Sequence, residues 1–297
     1  MSQDRASSPC VSVLVTVFNR ADFLADCLSS LIASSWTDFE AIVVDDASTD
    51  SSADIAEDFA ARDSRIRPFR NPANLGDYGN RMRAASLARG KYLKYLDSDD
   101  IIYEHGLGVM VQGMEKNPEA RLGLSHSVAD SALPYPFRLT PEEAWRMEFL
   151  EGGALGCGPS GAILRRDAFS EIGGFRDWGV LNDTDLWYRM SARWPVVLFP
   201  PALVWWRRHP GQEFSRDDSA GVYLEKGFAL CGEALASPDC PLSREDRVAA
   251  RERAGQHYAR KLLSLAIRKR RPGEAVRLMR RSGLSFGDVV SGFSAYR

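Results

Sequence analysis

The first hundred residues alternate between short apolar runs and amphipathic stretches. Residues 10–18 are apolar and rich in β-branched side chains, which is typical of a parallel strand covered on both faces. Residues 21–33 carry apolar side chains at the spacing of a helix. Further apolar runs at 39–44, 65–69 and 91–96 are separated by two more helical segments. This alternation predicts a parallel sheet with helices on both faces.

The regular alternation ends near residue 100. Residues 130–139 are rich in proline and are expected to form a loop, whereas residues 202–207 have the composition of a strand. The C-terminal part has only helical patterns. These changes predict a disordered lead at 1–9, an α/β domain at 10–218 and a helical region at 219–297.

Polar side chains follow three of the predicted strands. They are residues 16–19, the pair Asp45-Asp46, and residues 97–100. Ligands of open parallel sheets bind at the carboxyl ends of the strands, so we expect these three segments to meet at one edge.

The third polar segment ends the sequence KYLKYLDSDD at 91–100. The carboxylates of Asp97, Asp99 and Asp100 repel one another and lose hydration at the end of a buried strand. A Mg²⁺ or Mn²⁺ ion would relieve this repulsion, because carboxylate oxygens are the ligands that such ions prefer. The alternative is a surface turn whose acids cap a helix. The residues alone leave both interpretations open.

Asp45 and Asp46 also have two interpretations. They can cap the helix expected from residue 50, or they can accept hydrogen bonds from a nucleobase and a ribose. Phe18 and Asn19 end the neighbouring strand, where an aromatic ring can stack on a base. Their placement at one sheet edge favours a nucleotide site.

Two later features carry candidate chemistry. Asp183 and Asp185 open an amphipathic helix, where they either compensate the helix dipole or supply a general base. His209 lies at a strand end and is either structural or a metal ligand. Arg207 and Arg208 precede it and can hold a diphosphate.

The segment 260–281 is strongly basic, with apolar residues between the charges. A packed helical hairpin with a solvated charged face is the favoured interpretation. Docking to an anionic membrane surface is the alternative.

Composition narrows the class of protein. The chain has 297 residues, 44% of them hydrophobic, and its net charge of −2 predicts no nucleic-acid partner. Five scattered cysteines without a CxxC pair favour reduced thiols in the cytoplasm over a disulfide framework. We find no apolar run long enough for a signal sequence or a membrane span, so we expect a cytoplasmic protein, with peripheral membrane contact left open.

Several segments, taken in order, resemble a known family. VSVLVTVFNRADFLADCLSSLIASSWTDFEAIVVDDASTD resembles the opening of family 2 glycosyltransferases, and NLGDYGNRMRAASLARGKYLKYLDSDD resembles the approach to their acidic metal motif. GAILRRDAFSEIGGF, NDTDLWYRM and RRHPG match further motifs in order. The resemblance covers about residues 9–215 and implies an α/β, Rossmann-like GT-A fold: a mostly parallel sheet flanked by helices, followed by a C-terminal helical tail.

The resemblance also implies residue roles. The donor-binding set is Thr16, Phe18, Asn19, Asp45, Asp46, Asn80, Asp97 and Ser98. The metal set, for Mn²⁺ or Mg²⁺, is Asp97, Asp99 and His209. Asp183 falls where the family carries its catalytic base, although Asn182 replaces the usual Glu before it. Asp185 is therefore the second candidate for the base.

The implied reaction is an inverting, hexosyltransferase-like sugar transfer from a nucleoside-diphosphate sugar, most commonly UDP-linked. The acceptor would be a hydroxyl of a glycan or lipid-linked molecule in cell-surface polysaccharide synthesis. Residues 10–100 would bind the nucleotide and residues 101–218 the acceptor. A nucleotidyltransferase and an inactive sugar-nucleotide-binding protein are the alternatives, and a homodimer is left open.

Overall fold

The computed structural model describes residues 8–126, 133–212 and 219–282. The chain forms two compact units. The first unit comprises Met1–Thr140 and Ala154–Arg207, and the second comprises Pro141–Gly153 and Arg208–Arg297. The helical unit therefore includes a segment from the middle of the chain, which the pattern of the tail does not reveal.

The first unit contains all of the described strands. They are β1 (Val11–Val17), β2 (Phe39–Asp45), β3 (Ile66–Arg70), β4 (Tyr92–Tyr95), β5 (Ile101–Ile102), β6 (Leu122–Ser125), β7 (Phe137–Leu139), β8 (Ala162–Arg165), β9 (Val196–Phe199) and β10 (Val204–Trp205). Eight of them form one sheet in the order β3-β2-β1-β4-β8-β6-β9-β7. The half from β3 to β4 is parallel, and β8 pairs antiparallel with both of its neighbours. β5 and β10 form a separate antiparallel pair.

Helices connect these strands and build the second unit. They are α1 (Ala21–Ile32), α2 (Ser52–Arg62), α3 (Gly76–Ser86), α4 (Gly106–Lys116), α5 (Pro141–Arg146), α6 (Arg166–Glu171), α7 (Asn182–Arg193), α8 (Ser219–Ala236), α9 (Arg244–Ile267) and α10 (Pro272–Arg281). A π-helical turn, Met147–Glu151, continues α5. Helices α5 and α8 to α10 belong to the second unit.

The central strand β1 shows why the sequence folds this way. None of its residues is exposed, and Val11, Val13 and Val15 pack in one cluster with residues of α1 and α4. A strand with apolar residues on both faces is stable only when both faces are covered. The predicted α/β class, with a mainly parallel central sheet flanked by helices, is confirmed.

Two predicted elements differ from the structure. The loop expected at 130–139 contains the edge strand β7, whose inward-facing Phe137 and Leu139 pair along β9, while residues 127–132 lie outside the described residues. The strand expected at 202–207 is limited to β10. At its start, Ala202 has a positive φ of 66°, which is not an extended conformation. At its end, the N–H of Arg207 donates to Asp100 instead of to a neighbouring strand. In both places short-range composition was a poor guide to pairing.

The second unit confirms a packed hairpin for the basic segment. Leu262 and Leu265 of α9 and Leu278 of α10 are buried in one cluster, and Tyr258 stacks on Phe228 with ring centroids 4.4 Å apart. Among the residues that the structure describes, no helix has both the length and the apolar character needed to cross a membrane.

Candidate active site

Two loops, after β1 and after β2, are tied together at the carboxyl edge of the sheet. Asn19 accepts a hydrogen bond of 2.9 Å from the N–H of Thr49, and its own N–H donates to the Ser48 hydroxyl at 2.9 Å. Asn19 and Ala47 both have positive φ angles, 51° and 59°. Such backbone strain is concentrated at functional sites. Phe18 is 45% exposed beside these loops.

Asp46 is buried and holds the start of α3. Its carboxylate accepts from the N–H groups of Leu75 (2.9 Å) and Gly76 (3.0 Å) and from the side-chain amide of Asn71 (2.7 Å). Gly76 has a φ of 78°, which a residue without Cβ adopts at no steric cost. The residue predicted to contact the base therefore already has three protein donors.

Asn80 lies in the same network. Its amide donates to the carbonyl oxygen of Val44 at 3.1 Å and accepts from Asn71 at 3.1 Å. Both ends of this buried side chain are thus engaged within the protein, which suits a supporting position behind the carboxyl edge of the sheet.

Three buried polar atoms at this edge have no hydrogen-bond partner within the part of the chain that the structure describes. They are Oδ1 of Asp45, Oδ1 of Asn71 and Nη1 of Arg81. The other oxygen of Asp45 accepts from the N–H of Ser48 at 3.1 Å and pairs with Arg70 at 3.3 Å. Buried polar groups are nearly always satisfied, so these atoms mark a place where a polar ligand can bind.

The acidic loop after β4 is paired with arginines. Arg81 contacts Asp97 at 2.8 Å and also contacts Asp77 at 2.8 Å. Arg20 contacts Asp99 at 3.3 Å. The N–H of Asp97 donates to the Ser160 hydroxyl at 2.9 Å. Segments far apart in sequence therefore fix the carboxylates that the sequence predicted to converge.

Asp100 is buried behind this loop. Burial raises its pKa to about 7, and the charges of Asp97 and Asp99 contribute to the rise. It accepts a hydrogen bond of 3.1 Å from the N–H of Arg207. The Arg207 guanidinium donates to the carbonyl oxygen of Asp99 at 2.9 Å and pairs with Asp26 at 3.0 Å. Arg207, predicted as a diphosphate ligand, thus braces the acidic loop in this structure.

Lys94 is a fully buried cation beneath the acidic loop. Its ammonium donates to the carbonyl oxygens of Tyr95, at 2.7 Å, and Ser160. Burial lowers its pKa to about 8. No local pattern indicates this contact, because Ser160 lies 66 residues away along the chain.

The carboxylates suit a divalent cation that is shared with a ligand. Among the described ranges, no three His, Cys, Asp or Glu side chains form a group able to hold a metal. Mg²⁺ often takes one or two carboxylates together with substrate phosphates. The side chains of Asp97 and Asp99 are 28% and 13% exposed and can supply that smaller set. Burial is the main cause of the raised pKa of Asp100, and the charges of Asp97 and Asp99 add to it, so a cation beside this loop would favour the ionised carboxylate.

Asp183 and Asp185 have different environments although both lie in the first turn of α7. Oδ1 of Asp183 accepts twice from Thr184, at 2.7 Å and 3.3 Å, and Oδ2 has no partner among the described residues. Burial raises the pKa of Asp183 to about 6; Arg81 acts against this rise and Asp97 adds to it. Asp185 is 1% exposed and is paired with Arg176 and with Arg189 at 2.8 Å.

Three predicted site residues remain to be located in the structure. Thr16 pairs with Val44 across β1 and β2, and Ser98 is buried in the acidic loop. His209 belongs to the second unit, where its N–H donates to the side chain of Gln212 at 3.1 Å. Its role as a metal ligand beside Asp99 stays a prediction.

Sequence reasoning missed Arg20, Arg81, Asn71 and Ser160. Arg81 offered one signal, because it lies in a segment, NLGDYGNRMRAAS, that was already singled out. Ser160 lies in the segment 152–161, whose several glycines allow the backbone to approach a ligand closely. Neither signal identifies the partner, since each contact joins distant segments.

The sheet and its polar carboxyl edge define an α/β protein of the nucleotide-binding type. Residues 12–173, more than half of the chain, match the family described as Glycosyl transferase family 2. The protein belongs to that family, and the resemblance seen in the sequence is confirmed.

Curated relatives match less than half of this chain. Glycosyltransferase GlyG of Streptococcus pneumoniae is 28% identical over 137 residues, which is 46% of either chain. The uncharacterized glycosyltransferase EpsJ of Bacillus subtilis is 36% identical over 109 residues, 37% of this chain and 31% of EpsJ. The chain thus matches less than half the length of these relatives.

Solved structures extend the likeness to nearly the whole chain. Residues 1–349 of S. aureus TarS align with a TM-score of 0.67 at 16% identity, covering 95% of this chain and 80% of that one. The mannosyltransferase PcManGT from Pyrobaculum calidifontis, solved with GDP-Man and Mn²⁺, aligns with a TM-score of 0.64 at 15% identity, covering 98% and 80%. At this identity the likeness confirms the GT-A fold alone.

Proposed function

We propose that this protein is an inverting glycosyltransferase that moves a hexose from a nucleoside-diphosphate sugar to a hydroxyl group. The observation that carries the proposal is Asp183, whose Oδ2 has no partner among the described residues and whose pKa is raised to about 6. A carboxylate with such a pKa is ionised near neutral pH and can accept the acceptor's proton. The charges of Asp97 and Arg81 act on it, so it lies near the acidic loop.

The donor would bind along the loops that follow β1, β2 and β4. Phe18 would stack on the base, with Thr16, Asn19 and Asp45 lining its pocket. The unpartnered Oδ1 of Asp45 supports this assignment, because it can accept a hydrogen bond from the base or the ribose. For Asp46 to contact the base it would have to share an oxygen already used by α3, and Asn80 would support it from behind.

Asp97 and Asp99, with His209 as a third predicted ligand, would hold Mn²⁺ or Mg²⁺. Such an ion neutralises the charge that develops on a departing diphosphate. Asp97, Ser98 and Asp99 would orient the ribose and the phosphates from the acidic loop, while Arg20 and Arg81 keep the two carboxylates in place.

Asp183 is the preferred base over Asp185. Asp185 is buried, and both of its oxygens accept hydrogen bonds from the guanidinium groups of Arg176 and Arg189. A carboxylate in that position cannot reach a substrate proton, whereas Oδ2 of Asp183 is available for one.

We also propose substrates for this glycosyltransferase. TarS has been solved with UDP and with UDP-GlcNAc, and PcManGT with GDP-Man. These ligands support a nucleotide sugar as donor, and we favour a UDP-sugar. We further propose a glycan or lipid-linked acceptor in cell-surface polysaccharide synthesis, and a cytoplasmic location in line with the five free cysteines. A homodimer is compatible with this function.

The deciding experiment is a screen of nucleotide sugars with the purified full chain and Mn²⁺, reading the release of nucleoside diphosphate. Metal-dependent release from one sugar nucleotide is expected. Release of pyrophosphate from a nucleoside triphosphate would indicate the nucleotidyltransferase instead. Tight binding of a nucleotide sugar with no turnover in the presence of acceptor extracts would indicate an inactive binding protein.

A further inference from the structure

The C-terminal hairpin has a charge unlike that of the rest of the chain. Residues 260–281 contain nine Lys or Arg side chains and one carboxylate, a net charge of +8, whereas the whole chain has −2. The sugar-transfer site proposed above uses none of these groups. Such a local excess of cations attracts an anionic partner.

The cations are most concentrated where α9 meets α10. Arg268, Lys269 and Arg270 follow one another, and all three side chains are exposed. None of the three has a carboxylate partner among the described residues, although Arg271 and Arg281 nearby do pair with acids. The positive charge of these three residues is therefore available to a partner molecule.

Ile267 lies directly beside these cations and is 73% exposed. It ends α9, whose neighbouring residues Leu262 and Leu265 are buried in the core of the hairpin. We call residues 267–271 the basic turn. An exposed isoleucine gives no advantage in binding a phosphate chain, but it can enter the boundary between lipid headgroups and acyl chains.

We propose that the basic turn is a docking surface for an anionic lipid bilayer. The cations lie against the charged headgroups while Ile267 inserts between them. The apolar face of α10 is occupied, because Ala275 and Leu278 pack into the hairpin, so the helix has no wide apolar face left for deep insertion. Binding is therefore reversible, dominated by charge and weakened by salt.

The test is co-sedimentation of the full chain with vesicles made from phosphatidylcholine alone or from phosphatidylcholine with phosphatidylglycerol. Binding is expected with the anionic vesicles only, and affinity should fall about tenfold or more between low and high salt. Equal binding to neutral vesicles, binding that ignores salt, or no binding to either kind would overturn the proposal.

Variants locate the surface. Arg268→Gln/Lys269→Gln/Arg270→Gln should lose about tenfold or more in affinity, and Ile267→Ser should lose a smaller factor. The matched control is Arg62→Gln/Arg83→Gln/Lys116→Gln, which removes the same charge from exposed positions of the first unit. An equal loss in the control would show a general charge effect and overturn the assignment.

Two further measurements keep these results interpretable. Thermal unfolding of the variants should match that of the parent chain, because all of the changed side chains are exposed. Tighter binding of the parent to an RNA oligonucleotide than to anionic vesicles would assign the surface to nucleic acid and overturn the lipid proposal. Release of diphosphate from a soluble donor should be unchanged in the variants, so failure here is separable from failure of the proposed function.

Discussion

The guanidinium of Arg81 contacts Oδ1 of Asp97 at 2.8 Å, and its charge opposes the rise in the pKa of Asp183 that burial causes. Arg81 also lies 5.8 Å from the centre of the Tyr95 ring and pairs with Asp77. One buried cation therefore influences both the predicted metal ligand and the predicted base. Arg81, in α3, thus links the acidic loop with the first turn of α7.

The pH dependence of sugar transfer should reveal the effect of the Arg81 charge on Asp183. Because a general base acts in its ionised form, the rate should rise with pH through about 6, the pKa of Asp183. Arg81→Gln removes a charge that favours the ionised form, so the rising limb should move to higher pH. Arg83→Gln, an exposed arginine of the same helix, is the control and should leave the limb in place. The measurement is kcat/KM for the acceptor against pH; an unmoved limb in Arg81→Gln would contradict the coupling.

The two aspartates of α7 should separate catalysis from stability. Asp183→Asn should lower kcat by about 10²–10⁴-fold while donor affinity and the free energy of unfolding stay close to those of the parent. Asp185→Asn should instead lower the free energy of unfolding by about 3 kcal/mol, because Arg176 and Arg189 lose their buried partner. Near-normal turnover in Asp183→Asn, with a large loss in Asp185→Asn at unchanged stability, would reverse the assignment of the base.

Removal of divalent cations should abolish diphosphate release. EDTA is expected to stop turnover, and Mn²⁺ or Mg²⁺ added in excess should restore it. Asp99→Asn should raise the cation concentration needed for half-maximal activity, whereas the exposed Asp58→Asn should not. Activity that is indifferent to EDTA would remove the metal from the proposed reaction.

Much of the fold could be predicted because its signals are local. β1, β2 and β4 are buried strands rich in apolar residues, and each is followed by polar residues at one sheet edge. β7 was missed because its pairing with β9 depends on residues far away in the chain. The same holds for Pro141–Gly153, whose membership of the helical unit depends on packing that no local pattern encodes.

The candidate site also combines features that local sequence predicts with features that only tertiary contacts determine. The acidic loop could be predicted as a motif, but the arginines that neutralise it come from other segments, as Arg20 and Arg81 show. Spacing alone does not separate Asp183 from Asp185; our proposal of Asp183 as the base depends on the pairing of Asp185 with Arg176, which is a tertiary contact. Local chemistry thus identifies the candidate residues, and tertiary contacts decide their availability.

Lys94 should be a positioning residue for the acidic loop. Its ammonium holds the carbonyl of Ser160, and the Ser160 hydroxyl accepts from the N–H of Asp97 at 2.9 Å. Lys94→Met leaves two buried carbonyl groups without a donor, which should cost about 1–3 kcal/mol of stability and loosen the turn Pro159–Gly161.

The readout that separates positioning from stability is the donor KM. When it is assayed well below its unfolding temperature, Lys94→Met should show a higher KM for the donor than the parent chain. Lys91→Met, which removes an exposed ion pair with Glu115, should leave KM unchanged. A destabilised Lys94→Met with an unchanged donor KM would reduce the role of this lysine to packing.

Glu40 should make the first unit sensitive to acid. It is 3% exposed and accepts from the Ser12 hydroxyl at 2.7 Å and the Arg89 N–H at 2.8 Å, and it pairs with Arg67. Burial alone would raise its pKa, but these hydrogen bonds outweigh burial and lower the pKa below its ordinary 4.5. A carboxyl group with a lowered folded-state pKa stabilises the protein above its unfolded-state pKa, and this contribution is lost as pH falls through the folded-state value.

Glu40→Gln should therefore reduce the free energy of unfolding by about 2 kcal/mol at pH 7, measured by urea titration. The difference between variant and parent should shrink as pH falls below 4.5, because the parent's carboxylate is then protonated as well. Glu57→Gln, at an exposed position of α2, should change neither value. A deficit in Glu40→Gln that stays constant from pH 7 into acid would mean that shape rather than charge at this position stabilises the strands.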